Sequence, residues 1–192
     1  PCYVKENYKE ELKLVEEWLQ KRRFAAVGEI GLDFYWDKTY TSQQYEAFHQ
    51  QIVWAKAYKL PIVIHTREAM QQTIDVVKEH AGEGLCGVFH CFGGSLDEAE
   101  QIIAMGFLLG IGGVVTYKKS GLKEVLKNIG LEHIVLETDA PYLTPVPFRG
   151  KRNESAYLKY VVEVLAEVKN VGIEEIARVT TTNANLVFEK KN

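Results

Sequence analysis

The sequence predicts an α/β fold in which βα units surround a parallel sheet. Three observations carry this: five short apolar runs, amphipathic helical patterns between them, and helix start and stop signals at the junctions. The runs are Phe24 to Val27, Leu60 to Ile64, Gly87 to Phe89, Phe107 to Val115, and Ile134 to Leu136. Their nearly continuous apolar character suits strands covered on both faces, as parallel strands are. Leu12, Val15, Trp18 and Leu19 recur at three- and four-residue spacing, as do Leu158, Val161, Val162 and Leu165, so each set marks the buried stripe of a helix. Thr41 with Gln44, and Ser95 with Glu98, have capping-box spacing and predict helix starts near 42 and 96. Gly106 and Gly130 stand where a helix ending in a left-handed residue wants glycine.

The 192 residues fit one domain, 1–192, and 46% hydrophobic with 26% charged content is an ordinary globular balance. No apolar run is long enough for a membrane span and no secretory signal is readable, so a cytoplasmic location is expected. Cys2, Cys86 and Cys91 lack metal-type spacing and read as reduced thiols. A net charge of −3 excludes a surface that is basic throughout, so any nucleic-acid contact must be local. The local candidates are Lys118-Lys119 and Arg149-Gly150-Lys151-Arg152.

The chemistry lies at the ends of the runs. Glu29 follows Val27-Gly28, His65 follows Ile62-Val63-Ile64, His90 follows Gly87-Val88-Phe89, and Glu137-Thr138-Asp139 follows Ile134-Val135-Leu136. In a (β/α) barrel the C-terminal ends of all strands share one face, where active sites are built. Two imidazoles and two carboxylates meeting there form a ligand set for zinc, manganese or a similar ion. Burying them together without a cation would cost several kcal/mol per unpaired charge. Strand alternation puts Glu29, Gly31 and Asp33 on one side, and Glu137 with Asp139 on one side. His49, His80 and His133 lack this placement and read as surface or packing residues.

Gly28-Glu29-Ile30-Gly31-Leu32-Asp33-Phe34-Tyr35 resembles the GEIGLDYY signature of TatD hydrolases. The segments Leu60 to Ala69, Phe89 to Gly94 and Leu136 to Leu143 are similar to that family's LPVIIHSRDA, FHCFSG and LETDAPYL segments, and Arg149 to Glu154 and Thr182-Asn183-Ala184 continue the match. The resemblance implies a TIM barrel with divalent metal ions, two in the intact protein (Mg, Mn or Zn), and hydrolysis of DNA phosphodiesters in the 3′→5′ direction. It implies Glu29 as a carboxylate shared between metals, His65 and His90 as ligands of one ion, and Asp139 as ligand of the other beside the attacking water. Glu137 is a weaker candidate for orienting that water, or a partner of a ligating histidine. Arg149 and Asn153 gain a reason to bind substrate phosphate, since their loop follows Asp139.

Family members open with a His-x-His pair, and none occurs here. The five runs then correspond to the fourth to eighth strands, and five strands cannot close a barrel. The expectation is a fragment of a longer protein, with an edge near Ala25 to Val27 that invites self-association. Two other readings stand beside the deoxyribonuclease. One is a metal-dependent amidohydrolase acting on an amide, lactone or phosphotriester, disfavoured because His65 stands where a carboxylated lysine tends to lie. The other is a catalytically incomplete scaffold.

Overall fold

A strand forms within or directly from the end of each of the five predicted runs in the computed structural model, which describes residues 1–82 and 84–189. The chain divides into two units, Pro1–Phe89 and His90–Asn192. The first holds helix α1 (Tyr8–Lys21), strand β1 (Val27–Asp33), α2 (Thr41–Tyr58), β2 (Ile62–Arg67), α3 (Met70–His80) and β3 (Gly87–Phe89). β2 lies between β1 and β3 and is parallel to both. Ile30, Leu32, Ile62, Ile64 and Phe89 of these strands are buried, as are Phe48 and Ile52 of α2 and Ile74 and Val77 of α3. Apolar burial on this scale is the main force holding the sheet to its helices.

The second unit holds α4 (Leu96–Ala104), β4 (Phe107–Ile111), α5 (Leu122–Lys127), β5 (Ile134–Leu136), α6 (Leu158–Lys169) and α7 (Ile173–Phe188). β4 and β5 are parallel, with Leu109 paired to Ile134 and Ile111 to Leu136. α4 packs on β4 and α7 on β5. Phe107, Leu109, Ile111, Ile134, Leu165 and Ile176 form the core. Asn183 of α7 donates its amide to the carbonyls of Leu131 and Ile134, both at 2.8 Å, and so fixes the start of β5.

Several expectations are corrected. The first strand begins at Val27 and runs to Asp33, because Val27 N–H, bonded to Pro61 O at 2.9 Å, opens a ladder that continues through the polar residues. The run at 107–115 ends as a strand at Ile111; Gly113–Thr116 is a 3-10 turn in which Thr116 Oγ1 donates to Gly113 O at 2.7 Å. Ser95 and Glu98 make the expected capping box. Thr41 and Gln44 do not: Thr41 Oγ1 donates to Lys38 O and the Gln44 amide is engaged by Asp33. Gly106 is left-handed at φ +83°, whereas Gly130 is extended and α5 has already ended. Val161 and Leu165 are buried, but the α1 stripe is not a full core: Trp18 is 52% exposed. Together with Leu14, Val15, Leu19, Phe24 and Val27 it lines a groove of about 440 Å³. Among the described residues no helix is long and apolar enough to cross a membrane.

The pairing of β1 with β2 depends on Gly31. Its φ is +137°, and a Cβ there would lie 2.0 Å from the carbonyl oxygen of His65. Replacing Gly31 by Ala is expected to lower stability by about 2 kcal/mol or more, read as the shift in urea unfolding midpoint. An unchanged midpoint would show that this approach does not constrain the strand pair.

Candidate metal centre

In the first unit the site is built on β1 and β2 themselves: Glu29 and His65, expected just past the strands, lie inside them, because the ladder runs on to Asp33 and Arg67. The β1–β2 register advances irregularly between Gly28 and Ile30, which leaves Glu29 as an extra residue opposite no partner. A bulge of this kind turns a side chain out of the strand's ordinary alternation. The Glu29 carboxylate lies 3.8 Å from Nδ1 of His65. On the other side of the ring, Nε2 of His65 meets Oδ2 of Asp33 at 2.9 Å. A carboxylate only accepts, so Nε2 carries the proton and Nδ1 presents its lone pair toward Glu29. Burial pushes the His65 imidazole below its ordinary pKa, and this outweighs the opposite pull of its bond to Asp33. The neutral, ligand-competent ring therefore persists to lower pH than in an exposed histidine.

Asp33 is itself held. It is 2% exposed. Its N–H donates to Oε1 of Gln44 at 2.8 Å while Nε2 of Gln44 donates to the Asp33 carbonyl at 3.0 Å. The N–H of Tyr35 donates to the remaining carboxylate oxygen at 3.0 Å. Asp33 and Gln44 are the functional residues that sequence reasoning missed. Alternation placed Asp33 beside Glu29, but nothing in spacing revealed its bond to His65, and Gln44 resembled a cap.

The second unit repeats the arrangement on another imidazole. His90 is the residue after β3, as His65 follows Ile64, and the register pairs Ile64 with Phe89. Nδ1 of His90 lies 3.1 Å from Oε2 of Glu137, and Nε2 is turned to Asp139 Oδ1 at 4.0 Å. The other Glu137 oxygen accepts from the backbone N–H of Cys91. Glu137 fits here because β4 carries Gly110 opposite it: a Cβ at that position would come within 2.6 Å of the carboxylate. The donor atoms of His90, Cys91 and Asp139 all lie within 4.8 Å of one another. Cys91, whose spacing from the other cysteines gave no sign of a metal site, thus stands in a potential ligand group.

The donor chemistry fits a divalent ion. Each imidazole has one nitrogen fixed by a carboxylate and the other turned to a second carboxylate, which is how ligating histidines are oriented. Arg149 stacks on Tyr117, the residue before Lys118, with its guanidinium 4.2 Å from the ring centre. Asn153 is 2% exposed and does not face outward as a substrate-binding residue would. Its amide donates to Tyr142 O at 2.7 Å and its N–H to Pro141 O at 3.0 Å, fastening the loop after Asp139. His49 and His80 bond to each other at 2.7 Å, consistent with a packing role.

If Asp33 orients His65 and raises its basicity, Asp33→Asn should weaken the affinity of the metal-free protein for Zn²⁺ or Mn²⁺ by ~10- to 100-fold. A competition titration with a chelating dye measures this. Equal affinity would leave Asp33 with a packing role alone.

A family model described as TatD-related DNase matches residues 1–189. The uncharacterized metal-dependent hydrolase YabD of Bacillus subtilis is 45% identical over 180 residues, 93% of this chain and 71% of that protein. The uncharacterized metal-dependent hydrolase TatD of Mycobacterium tuberculosis is 36% identical over 91% of this chain and 68% of its own length. The crystal structure of YjjV, a TatD homologue from Escherichia coli, superposes with a TM-score of 0.88 at 32% identity, covering 93% of this chain and 70% of that one. The fold is accordingly α/β, of the TIM (β/α)-barrel class. With its strand-end carboxylates and histidines and this agreement along nearly all of its length, the chain belongs to the TatD family of metal-dependent hydrolases.

Proposed function

We propose that the protein is a divalent-metal-dependent phosphodiesterase that removes nucleotides from the 3′ end of DNA. The observation that carries this is the paired histidine–carboxylate arrangement, in which His65 faces Glu29 at 3.8 Å in one unit and His90 faces Asp139 at 4.0 Å in the other, and these four residues are the ones we assign to divalent ions. An ion held there polarises a phosphoryl oxygen and acidifies water. The chain's own residues do the rest. Asp33 and Glu137 keep each imidazole in one tautomer. Asp139 offers a partly exposed carboxylate that accepts the proton of the attacking water. Arg149, stacked on Tyr117 beside Lys118, holds a substrate phosphate without shaping the nucleophile. The family description as DNase and the local, not global, placement of basic residues favour a DNA end as substrate.

Glu29→Gln keeps the shape of the side chain and removes its charge, so hydrolysis of single-stranded DNA should fall by ~100-fold or more while the protein still folds. Arg149→Ala should instead weaken DNA binding and reduce the slope of log affinity against log salt by about one phosphate contact. Rates and binding isotherms in manganese or magnesium check both. Near-normal nuclease activity of Glu29→Gln would overturn the metal-centre assignment. Wild-type protein inactive on DNA ends but active on a lactone or cyclic amide would move the protein to amidohydrolase chemistry.

A further inference from the structure

Beyond the C-terminal end of β1 the chain carries two aromatic residues that the core does not use. Tyr35 is 47% exposed and Trp36 is 69% exposed. They meet edge to face, with ring centres 4.8 Å apart and planes at 86°. Arg67, the last residue of β2, lays its guanidinium over Tyr35 at 3.6 Å and lies 5.2 Å from the Trp36 ring. Exposing this much aromatic surface is unfavourable unless something covers it. The cluster is also positioned, not loose. Tyr35 N–H is bonded to the Asp33 carboxylate that holds His65, and Phe34 N–H to the carbonyl of Arg67 at 2.9 Å. Trp36 thus stands three residues from the group that orients a candidate metal ligand.

We propose that Trp36, braced by Tyr35 and Arg67, is a stacking platform for a nucleobase of single-stranded DNA, a reading that rests on the nuclease function above. An open indole face accepts any base, because every base has a π-face, and an adjacent guanidinium adds a cation for the neighbouring phosphate. The charges next to these residues in sequence balance, Lys38 and Arg67 against Asp37 and Glu68. Affinity at this position therefore comes from stacking more than from attraction to the backbone. It would select an unpaired end over a duplex, whose bases are already stacked on each other.

The test uses the Glu29→Gln protein, which leaves the strand intact, and fluorescence anisotropy with two probes: a short single-stranded oligonucleotide, and the same sugar-phosphate backbone without bases. Trp36→Ala should weaken binding of the base-containing strand by roughly tenfold and change binding of the abasic strand by less than about twofold, while Trp36→Phe keeps most of the preference. Equal losses for both probes, or no loss for either, would overturn the stacking site and leave the nuclease reading standing. Binding to neither probe before Trp36 is changed, together with no hydrolysis of DNA by the wild-type protein, would overturn both.

Discussion

A partner that holds the proton on one imidazole nitrogen decides which nitrogen is left free to bind a metal ion, and both candidate ligand histidines of this protein have such a partner. For His65 it is Asp33 and for His90 it is Glu137. Each pairing recruits further residues. Asp33 is buried because Gln44 of α2 grips its peptide from both sides, so a helix on the outside of the sheet sets a bond at the site. Glu137 requires that β4 withdraw every side-chain atom at Gly110. The bulge at Glu29 answers a related need, since it lifts an acid out of the ladder without breaking the pairing on either side.

The principal ligand candidates were legible because their signal is local. An acid or histidine directly after a buried apolar run is visible in sequence, and at His90 and Glu137 the strand does stop with the run, whereas β2 continues through His65 to Arg67. The orienting residues were not legible in the same way. Gln44 and Asp33 are 11 residues apart, and Glu137 and His90 are 47 apart, so both bonds depend on tertiary placement. Gln44 was further disguised, since three residues after Thr41 is also where a cap would put it. Trp18 illustrates the opposite error: helical periodicity marks a stripe, but only neighbours decide whether the stripe is covered, and here it borders an open groove. Asn153 was read with the basic loop around it, yet a short amide among charged neighbours is also well suited to close a loop on itself.

The histidine–carboxylate clusters of the two units differ in how firmly each is built. His65 and Asp33 sit in a continuous network of strand, helix and loop, with a buried carboxylate at its centre. Asp139 lies past the end of β5 in a loop and is more open to solvent, with a third of its side chain exposed. Under the proposed function this would set cation-holding groups on rigid strands and a proton acceptor on a loop, a division of labour that the (β/α) architecture makes easy.

The clamp made by Asn153 has a consequence for how this protein could diversify. Its bonds to Pro141 and Tyr142, with Thr144 Oγ1 donating to the carbonyl of Lys151, cinch the chain at its base and leave residues 145–150 as a closed lobe. Between those ties the lobe is also held from outside, by Val146 N–H on Thr116 Oγ1 at 2.9 Å and by Phe148 stacked on Tyr157. A lobe grafted here would therefore have to keep the anchors at Val146 and Phe148 as well as the ties at its base, while the positions between them are the ones left open to change.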